Sequence, residues 1–569
     1  MPTEYSVTSA SRNSSLSTEG LPKRFRLDES GLYEGNKWVC PAIEVIARTS
    51  NFDDRQSGKL IRFRNWAGDS KQCVIELSRL FTDGNECLFE LIDLGFKPQR
   101  DRIALNALKD FIVETEPQNF VRCVSKIGWH AGSFVLPELS VGPPDAEKIL
   151  FQPEGSMNIE HQYRASGSLA DWKRNVANHC VGNSRLVFAV SCAFAASLLD
   201  SLQSDSAGFH FRGLSSTGKT TALLVAGSVW GGGSANGFLD TWRATANGLE
   251  ARGFLHNDAL MALDEMGEVN EKEVAEIVYA LGNGAGKGRM RKNLTAARQQ
   301  SFRLIYLSTG ERSLEDIVEA SGKRFKGGQE IRLVEIAADA GKNLGIFEEL
   351  HESQTPSAFA DNLRMAAKTY YGTPIRAFLN FIANSTNSIS DEVRKTRQRF
   401  LNHVPNQSSG EIFRIASMFG MIAGAGEIAT DAAITGWKPG EATRSAETCF
   451  HSWLLDRGSV APRDVLVGIK SLRAFIEKNG NRFQEINAKD AVRDQAGFKE
   501  ETEEGWKYYV IQEVFIKEVC RSLDYSAVAR ELLRRGHLEA DPGRLLFRKR
   551  VRKERRYFYS ILPSILEDC

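Results

Sequence analysis

Residues 213–220 read Gly-Leu-Ser-Ser-Thr-Gly-Lys-Thr and fit the spacing G-x-x-x-x-G-K-[ST] of a loop that wraps a polyphosphate. Each residue type answers a demand of such a ligand. Gly213 and Gly218 let the backbone approach closely without side-chain bulk. The backbone N–H groups of Leu214, Ser215, Ser216 and Thr217 would point inward at the anion. The helix that follows, with Thr221 in its first turn, would add its positive N-terminal end. Lys219 would reach the β- and γ-phosphates, and the Thr220 hydroxyl would hold a magnesium ion. The flanks suit this: Ala207–Arg212 is strand-like and 221–227 is a good helix former. ATP and Mg²⁺ are the cofactors this pattern implies.

A second constellation is Leu260-Met-Ala-Leu-Asp264-Glu265, an apolar run ending in two carboxylates. It reads as a buried strand with Asp264 and Glu265 at its C-terminal edge. In P-loop ATPases the Asp of that edge holds Mg²⁺ through water and the Glu polarises the attacking water, so Asp264 is expected on the metal side and Glu265 as catalytic base. A third strand, Phe302–Leu307, runs into Ser308-Thr309-Gly310-Glu311. AAA+ enzymes place a polar sensor residue at such a tip; Thr309 or Ser308 could take the role by hydrogen bonding.

The elements that must position these residues follow from length and patterning. A chain of 569 residues, 42% hydrophobic and 25% charged, is ordinary for a globular protein of several domains. The net charge of +1 makes any nucleic-acid surface a local patch. The nine cysteines contain no C-x-x-C pair, so neither a zinc ribbon nor a disulfide framework is suggested, and a cytoplasmic location is the simplest. The apolar stretch Leu186–Leu199 is too short to span a bilayer and is expected as a buried helix, with no membrane partner. The fold class expected is multidomain α/β. Residues 1–20 read as a disordered tail and 21–160 as a mixed, strand-rich α+β domain. Residues 161–345 read as a P-loop AAA+ core with a parallel sheet, 346–480 as a helical lid region, and 481–569 as a C-terminal winged-helix-like domain. Trp129, in Ile-Gly-Trp-His, reads more readily as core than as function.

Two basic stretches offer nucleic-acid contacts. Gly284–Asn293 carries Lys287, Arg289, Arg291 and Lys292 among glycines, between the Asp-Glu strand and the sensor strand. The second lies after Tyr525–Gly536, in the segment Gly543–Tyr557, and includes Arg548, Lys549, Arg550 and Arg552. Helix, turn and hairpin is a winged-helix order, and the eight cations between Arg544 and Arg556 suit contact with nucleic-acid phosphates. The plainer reading of the first is a solvated surface loop, and of the second a solvated strand face or a contact with an acidic partner.

From roughly residue 25 to residue 460 the chain resembles a bacterial and phage family of helicase-like ATPases long labelled as of unknown function. The resemblance rests on Gly213–Thr221, Trp242–Glu250, His256–Glu265, Asn283–Arg289, Leu307–Glu311, Gly328–Leu333 and Ala423–Thr430. That family includes self-loading helicases of mobile elements such as staphylococcal cassettes, similar to the hexameric AAA+ helicases of the minichromosome-maintenance type. The resemblance implies a ring-shaped motor, a homo-hexamer acting on single-stranded or forked DNA, with a replication-initiation or loader protein as a further partner. It also implies residues acting across subunit interfaces: Arg324 or its rival Arg332 as the arginine that stabilises charge on the transferring phosphate, and Arg414 as a second sensor. The function expected is an ATP-dependent DNA helicase of a phage or mobile element. The alternatives are an ATPase that remodels a protein partner without unwinding DNA, and a DNA-binding module in which the loop acts only as a nucleotide switch.

Overall fold

Side chains that alternate between two buried clusters build the first large sheet. In the computed structural model, which describes residues 5–6, 16–54, 56–81, 85–153, 161–285, 301–488, 492–551 and 554–566, five strands form a mixed sheet. Their order is Ile149–Phe151, Phe120–Val124, Ile43–Asn51, Gly58–Arg64, Ser70–Glu76. Ile43, Val45, Ile61, Phe63 and Ile75 share one buried cluster, whereas Ala47, Leu60, Val74, Val121 and Leu150 share another. Val45 and Ala47 would face the same side in a regular strand. A bulge between them shifts the register and sends Ala47 to the other cluster. The helix Arg102–Glu114 covers the first cluster. Asp101 caps it by accepting from the N–H groups of Ile103 and Ala104, and Ala104, Ala107, Leu108, Phe111 and Ile112 form its buried stripe.

The chain forms two compact units. The first comprises Met1–Lys323, Arg332–Asn402 and Ser417–Trp453; the second comprises Arg324–Ile331, His403–Ala416 and Leu454–Cys569. The expected boundary at 160/161 therefore lies inside the first unit. Tyr5–Ser6, in the tail expected to be disordered, pairs with Leu139–Ser140.

The centre of the first unit is a five-stranded sheet whose members are numbered here from its first strand: β1 (Ala207–Arg212), β2 (Leu239–Thr241), β3 (Ala259–Asp264), β4 (Leu304–Gly310) and β5 (Val334–Ala337). All pairings are parallel and the order is β2-β3-β4-β1-β5. Strands covered on both faces read as near-continuous apolar runs, which is why β3 and β4 are buried almost from end to end. The third strand begins at Leu304, not at Phe302. The helices α1 (Lys219–Trp230), α2 (Ala246–Leu255), α3 (Glu271–Asn283) and α4 (Leu314–Ala320) connect the strands. The apolar stretch before the sheet is the helix Ser184–Ala196, with every residue buried. A second apolar helix, Gly410–Asp431, is long and apolar enough to cross a membrane by length and composition. Its apolar window is 78% buried inside the protein.

The second unit carries a sheet ordered Phe483–Glu485, Gly497–Thr502, Gly505–Ile511, Glu554–Ile561, Leu538–Glu539, with Phe547–Val551 paired antiparallel to Glu554–Ile561. The helices Arg463–Lys478 and Tyr525–Arg534 close its core through Leu472, Ile476, Val528, Leu532, Tyr559 and Ile561. Arg457, fully buried, lies 2.9 Å from Glu330 and 3.0 Å from Glu411.

Candidate nucleotide-binding site

In a parallel sheet ligands bind outside the carboxyl ends of the strands, and the loop 213–220 leaves the carboxyl end of β1. Its first N–H, from Gly213, donates to the Gly310 carbonyl at the end of β4 (3.1 Å). Thr217 Oγ1 donates to the Leu214 carbonyl (2.9 Å), and Ser216 takes a left-handed φ of 62°. Gly218, with φ 91°, starts α1; a Cβ there would meet Ile346 Cγ2 at 2.7 Å, so the position admits glycine alone. Lys219 Nζ donates to the carbonyls of Gly213 (2.8 Å) and Leu214 (2.6 Å), holding its ammonium over the loop. Leu214, Ser215 and Ser216 are exposed, and Thr221 is buried in the protein.

The carboxylates stand beside the loop. Thr220 Oγ1 donates to Asp264 Oδ1 at 3.2 Å, and Thr309 Oγ1 donates to the same oxygen at 2.5 Å. The Thr309 hydroxyl also accepts from the Glu265 N–H (3.1 Å). Glu265 turns the chain with φ 57°, a left-handed conformation uncommon for a residue with a Cβ. Burial pushes the Glu265 carboxyl above its ordinary value, and the Asp264 and Glu311 charges add to this; the Gly267 N–H and the Lys219 charge oppose it.

Ser308 and Thr309 face opposite sides because successive strand residues alternate. Ser308 Oγ accepts from Trp242 Nε1 (2.9 Å) and lies 2.8 Å from His210 Nδ1. Burial holds the His210 imidazolium down at about 3, so this ring is neutral at physiological pH. The Trp242 N–H donates to the Asp264 carbonyl (3.1 Å), tying the ends of β2 and β3. Sequence reasoning passed over His210 and the role of Trp242, although Trp242 opens one of the stretches quoted for the family resemblance.

The arginines expected to act between subunits have separate settings. Arg332 precedes β5 and so lies at the amino edge of the sheet, away from the loop. It donates through Nε and Nη2 to Asn283 Oδ1 (2.8 and 2.7 Å) and stacks 4.7 Å over Tyr279. Arg324, in the second unit, donates to Ser471 Oγ (2.9 Å) and the Cys520 carbonyl (3.4 Å). Arg414, also in the second unit, is exposed. Lys287, Arg289, Arg291, Lys292 and Arg552 lie outside the described residues. At the flanks of the first basic stretch Ala285 bridges Ser301 in antiparallel fashion, and the Phe302 N–H donates to Gly284 O at 2.8 Å. Arg548 and Arg550 are exposed, whereas Lys549 turns to the other face and donates to Glu500 Oε2 (2.7 Å).

Far from the loop, at the start of β3, the sequence gives no warning of a polar junction. Asn257 Nδ2 donates to the Ile127 carbonyl (2.9 Å) and Asp258 Oδ2 accepts the Trp129 N–H (3.1 Å). Gly128 has φ 106°, and a Cβ there would lie 2.4 Å from both Asn257 Nδ2 and Asp258 Oδ2. Trp129 Nε1 donates to the Ser197 carbonyl (2.8 Å), so the ring is held structurally.

A family model described as "Domain of unknown function (DUF927)" matches residues 15–301. No curated protein matches the chain. A solved structure described as "SCCmec type IV Cch - active helicase" is similar at a TM-score of 0.70 and 18% identity, over 96% of this chain and 99% of that one. At that identity the likeness is one of fold, and it extends past the family match to almost the whole chain.

Proposed function

Taking as premise that the chain belongs to the DUF927 family, we propose that it is a Mg²⁺-dependent ATPase of the AAA+ class that moves on DNA as a helicase of a phage or mobile element. The observation that carries this reading is the meeting of Thr220, Asp264 and Thr309 through one carboxylate oxygen beside the Gly213–Thr220 loop. The loop N–H groups and the start of α1 would cradle the phosphates, and Lys219 would exchange its loop carbonyls for phosphate oxygens. The donor set fits Mg²⁺: a hydroxyl and a carboxylate are hard oxygen ligands, and a phosphate site needs only one or two carboxylates. Among the described residues no group of three or more His, Cys, Asp or Glu gathers as a separate metal cage. Bound Mg²⁺ would neutralise charge developing on the β- and γ-oxygens.

Glu265 would take a proton from the attacking water, and its raised pKa makes it a stronger base than an ordinary carboxylate. Thr309 would hold Asp264 and the Glu265 backbone in register and serve as the sensor. The fold likeness to a structure described as an active helicase supports DNA as the track. In this reading the chain forms a cytoplasmic hexameric ring, with Arg324 or Arg332 reaching a neighbour's nucleotide and Arg414 acting from a helical lid. The basic loop 284–293 grips the DNA backbone, the C-terminal winged helix holds DNA, and a loader or initiation protein delivers the ring.

Strand separation on a forked DNA substrate tests it. The chain should unwind the fork with ATP, and Glu265→Gln should bind the fork and ATP without unwinding. ATP hydrolysis by a protein that neither separates strands nor moves along DNA would place it among ATPases that remodel protein partners.

A further inference from the structure

The C-terminal hairpin separates its charges by face. On the face of Phe547, Lys549 and Val551, each described cation meets a carboxylate: Lys549 lies 2.7 Å from Glu500, and Arg556 lies 2.5 Å from Glu554. The same face packs Phe547, Val551 and Phe558 on Phe498 and Tyr509. The register Arg548↔Tyr557 and Arg550↔Arg555 puts these four on the opposite face, together with Tyr559 and Ile561 further along the strand. Tyr559 and Ile561 share a core with Val528 and Leu532 of the helix Tyr525–Arg534, so the arginine face is the helix side of the sheet.

On that face Arg548, Arg550 and Arg555 are exposed, and none has an acidic partner among the described residues. Arg544 lies 5.2 Å over the Tyr557 ring. Arg550 stands directly across from Arg555. Like charges directly opposite on a sheet destabilise it, and among the described residues no carboxylate pairs with either member. A polyanion would offset their repulsion. Along the strand, Arg548 and Arg550 repeat at about 6.7 Å, two residues of rise, on a rigid support.

The helix beside this face is poor in base-reading groups. Its exposed residues include Tyr525, Arg530, Leu533 and Arg534, and Glu531 holds Arg534 at 2.6 Å. Readers of sequence need side chains free to reach base edges, such as Arg, Asn or Gln. Single-strand binders need open aromatic platforms; of the two rings on the arginine face, Tyr559 is buried and the partly exposed Tyr557 carries the Arg544 guanidinium 5.2 Å from its centre.

Building on the DNA-directed reading above, we propose that the helix-side face of this hairpin, built from Arg544, Arg548, Arg550 and Arg555, binds the phosphate backbone of duplex DNA without regard to base sequence. The face would hold the double-stranded side of a fork, a task distinct from tracking the unpaired strand. Phosphate contacts of this kind give affinity and salt dependence and no sequence information.

The test measures binding of the full chain to fluorescent duplexes of two unrelated sequences, to a single strand of equal length and to polyglutamate, across a salt series. Relative to wild type, R548A/R550A/R555A should flatten the duplex slope of log K against log salt by roughly 3, about one per arginine. The change should be equal for both sequences, with the single-strand slope unchanged. The glutamine version, R548Q/R550Q/R555Q, should behave the same and melt no lower than wild type, since it removes repulsion. R556A, on the other face, should keep the wild-type slope. An unchanged duplex slope in the triple variants overturns the inference, as does an equal loss on the single strand. Binding to polyglutamate as tight as to duplex would assign the face to an acidic protein. If wild type binds single strands but its duplex slope ignores the triple variant, only this inference fails. If wild type binds no DNA, the DNA-directed function fails with it.

Discussion

Thr309 Oγ1 donates to Asp264 Oδ1 at 2.5 Å while accepting the N–H of Glu265 at 3.1 Å, so one hydroxyl ties the tips of two neighbouring strands. Replacing it by the isosteric Val leaves the Glu265 N–H without its acceptor and Asp264 with one donor fewer, in a site where each such bond counts for about 1–3 kcal/mol. Thr309→Val should slow ATP hydrolysis by roughly 10- to 100-fold with nucleotide affinity retained, and Thr309→Ser should restore most of the rate. Steady-state hydrolysis beside equilibrium nucleotide binding checks this; a Val variant as fast as wild type would remove Thr309 from the site.

As the proposed catalytic base, Glu265 would set a pH dependence. The base acts when deprotonated, and burial raises its carboxyl pKa. The rate should therefore rise with pH through a limb above the ordinary carboxylate range and fall as pH drops through it. Glu265→Gln should lower turnover by roughly 10²–10⁴-fold and abolish the limb. A kcat profile whose acid limb survives in Glu265→Gln would assign the titration to another group.

Arg457 tests the second unit's core. It is the buried cation between Glu330 and Glu411, and burial already pushes the Glu411 carboxyl up. Removing one partner of a buried pair leaves uncompensated charge, at a cost of about 3–5 kcal/mol. Arg457→Ala should lower stability by that order in denaturant unfolding, whereas loss of an exposed i,i+3 pair such as Arg394–Asp391 should cost under about 1 kcal/mol. Equal effects would contradict the burial of this network.

Much of the fold could be read from residue patterning, and the reasons are physical. Buried parallel strands show as apolar runs, which placed strands before the loop 213–220 and before Asp264; the structure has them at Ala207–Arg212 and Ala259–Asp264. Phase was harder. Choosing between Ser308 and Thr309, or separating Lys549 from Arg548 and Arg550, requires knowing which way a strand faces, and alternation fixes that only once its neighbours are placed. The polar cluster of His210, Ser308 and Trp242 joins three strand ends distant in sequence, and each residue alone reads as core. The two units interleave along the chain, with Arg324–Ile331 and His403–Ala416 returning to the second, and a linear scan for linkers does not detect such returns.

The central claim is that the Lys219 loop hydrolyses ATP in response to DNA. Steady-state ATP hydrolysis with and without single-stranded DNA, using Lys219→Ala as the blank, tests it most directly. The account predicts strong stimulation by DNA, lost in Lys219→Ala together with all turnover. Hydrolysis indifferent to DNA, or unchanged in Lys219→Ala, would contradict it.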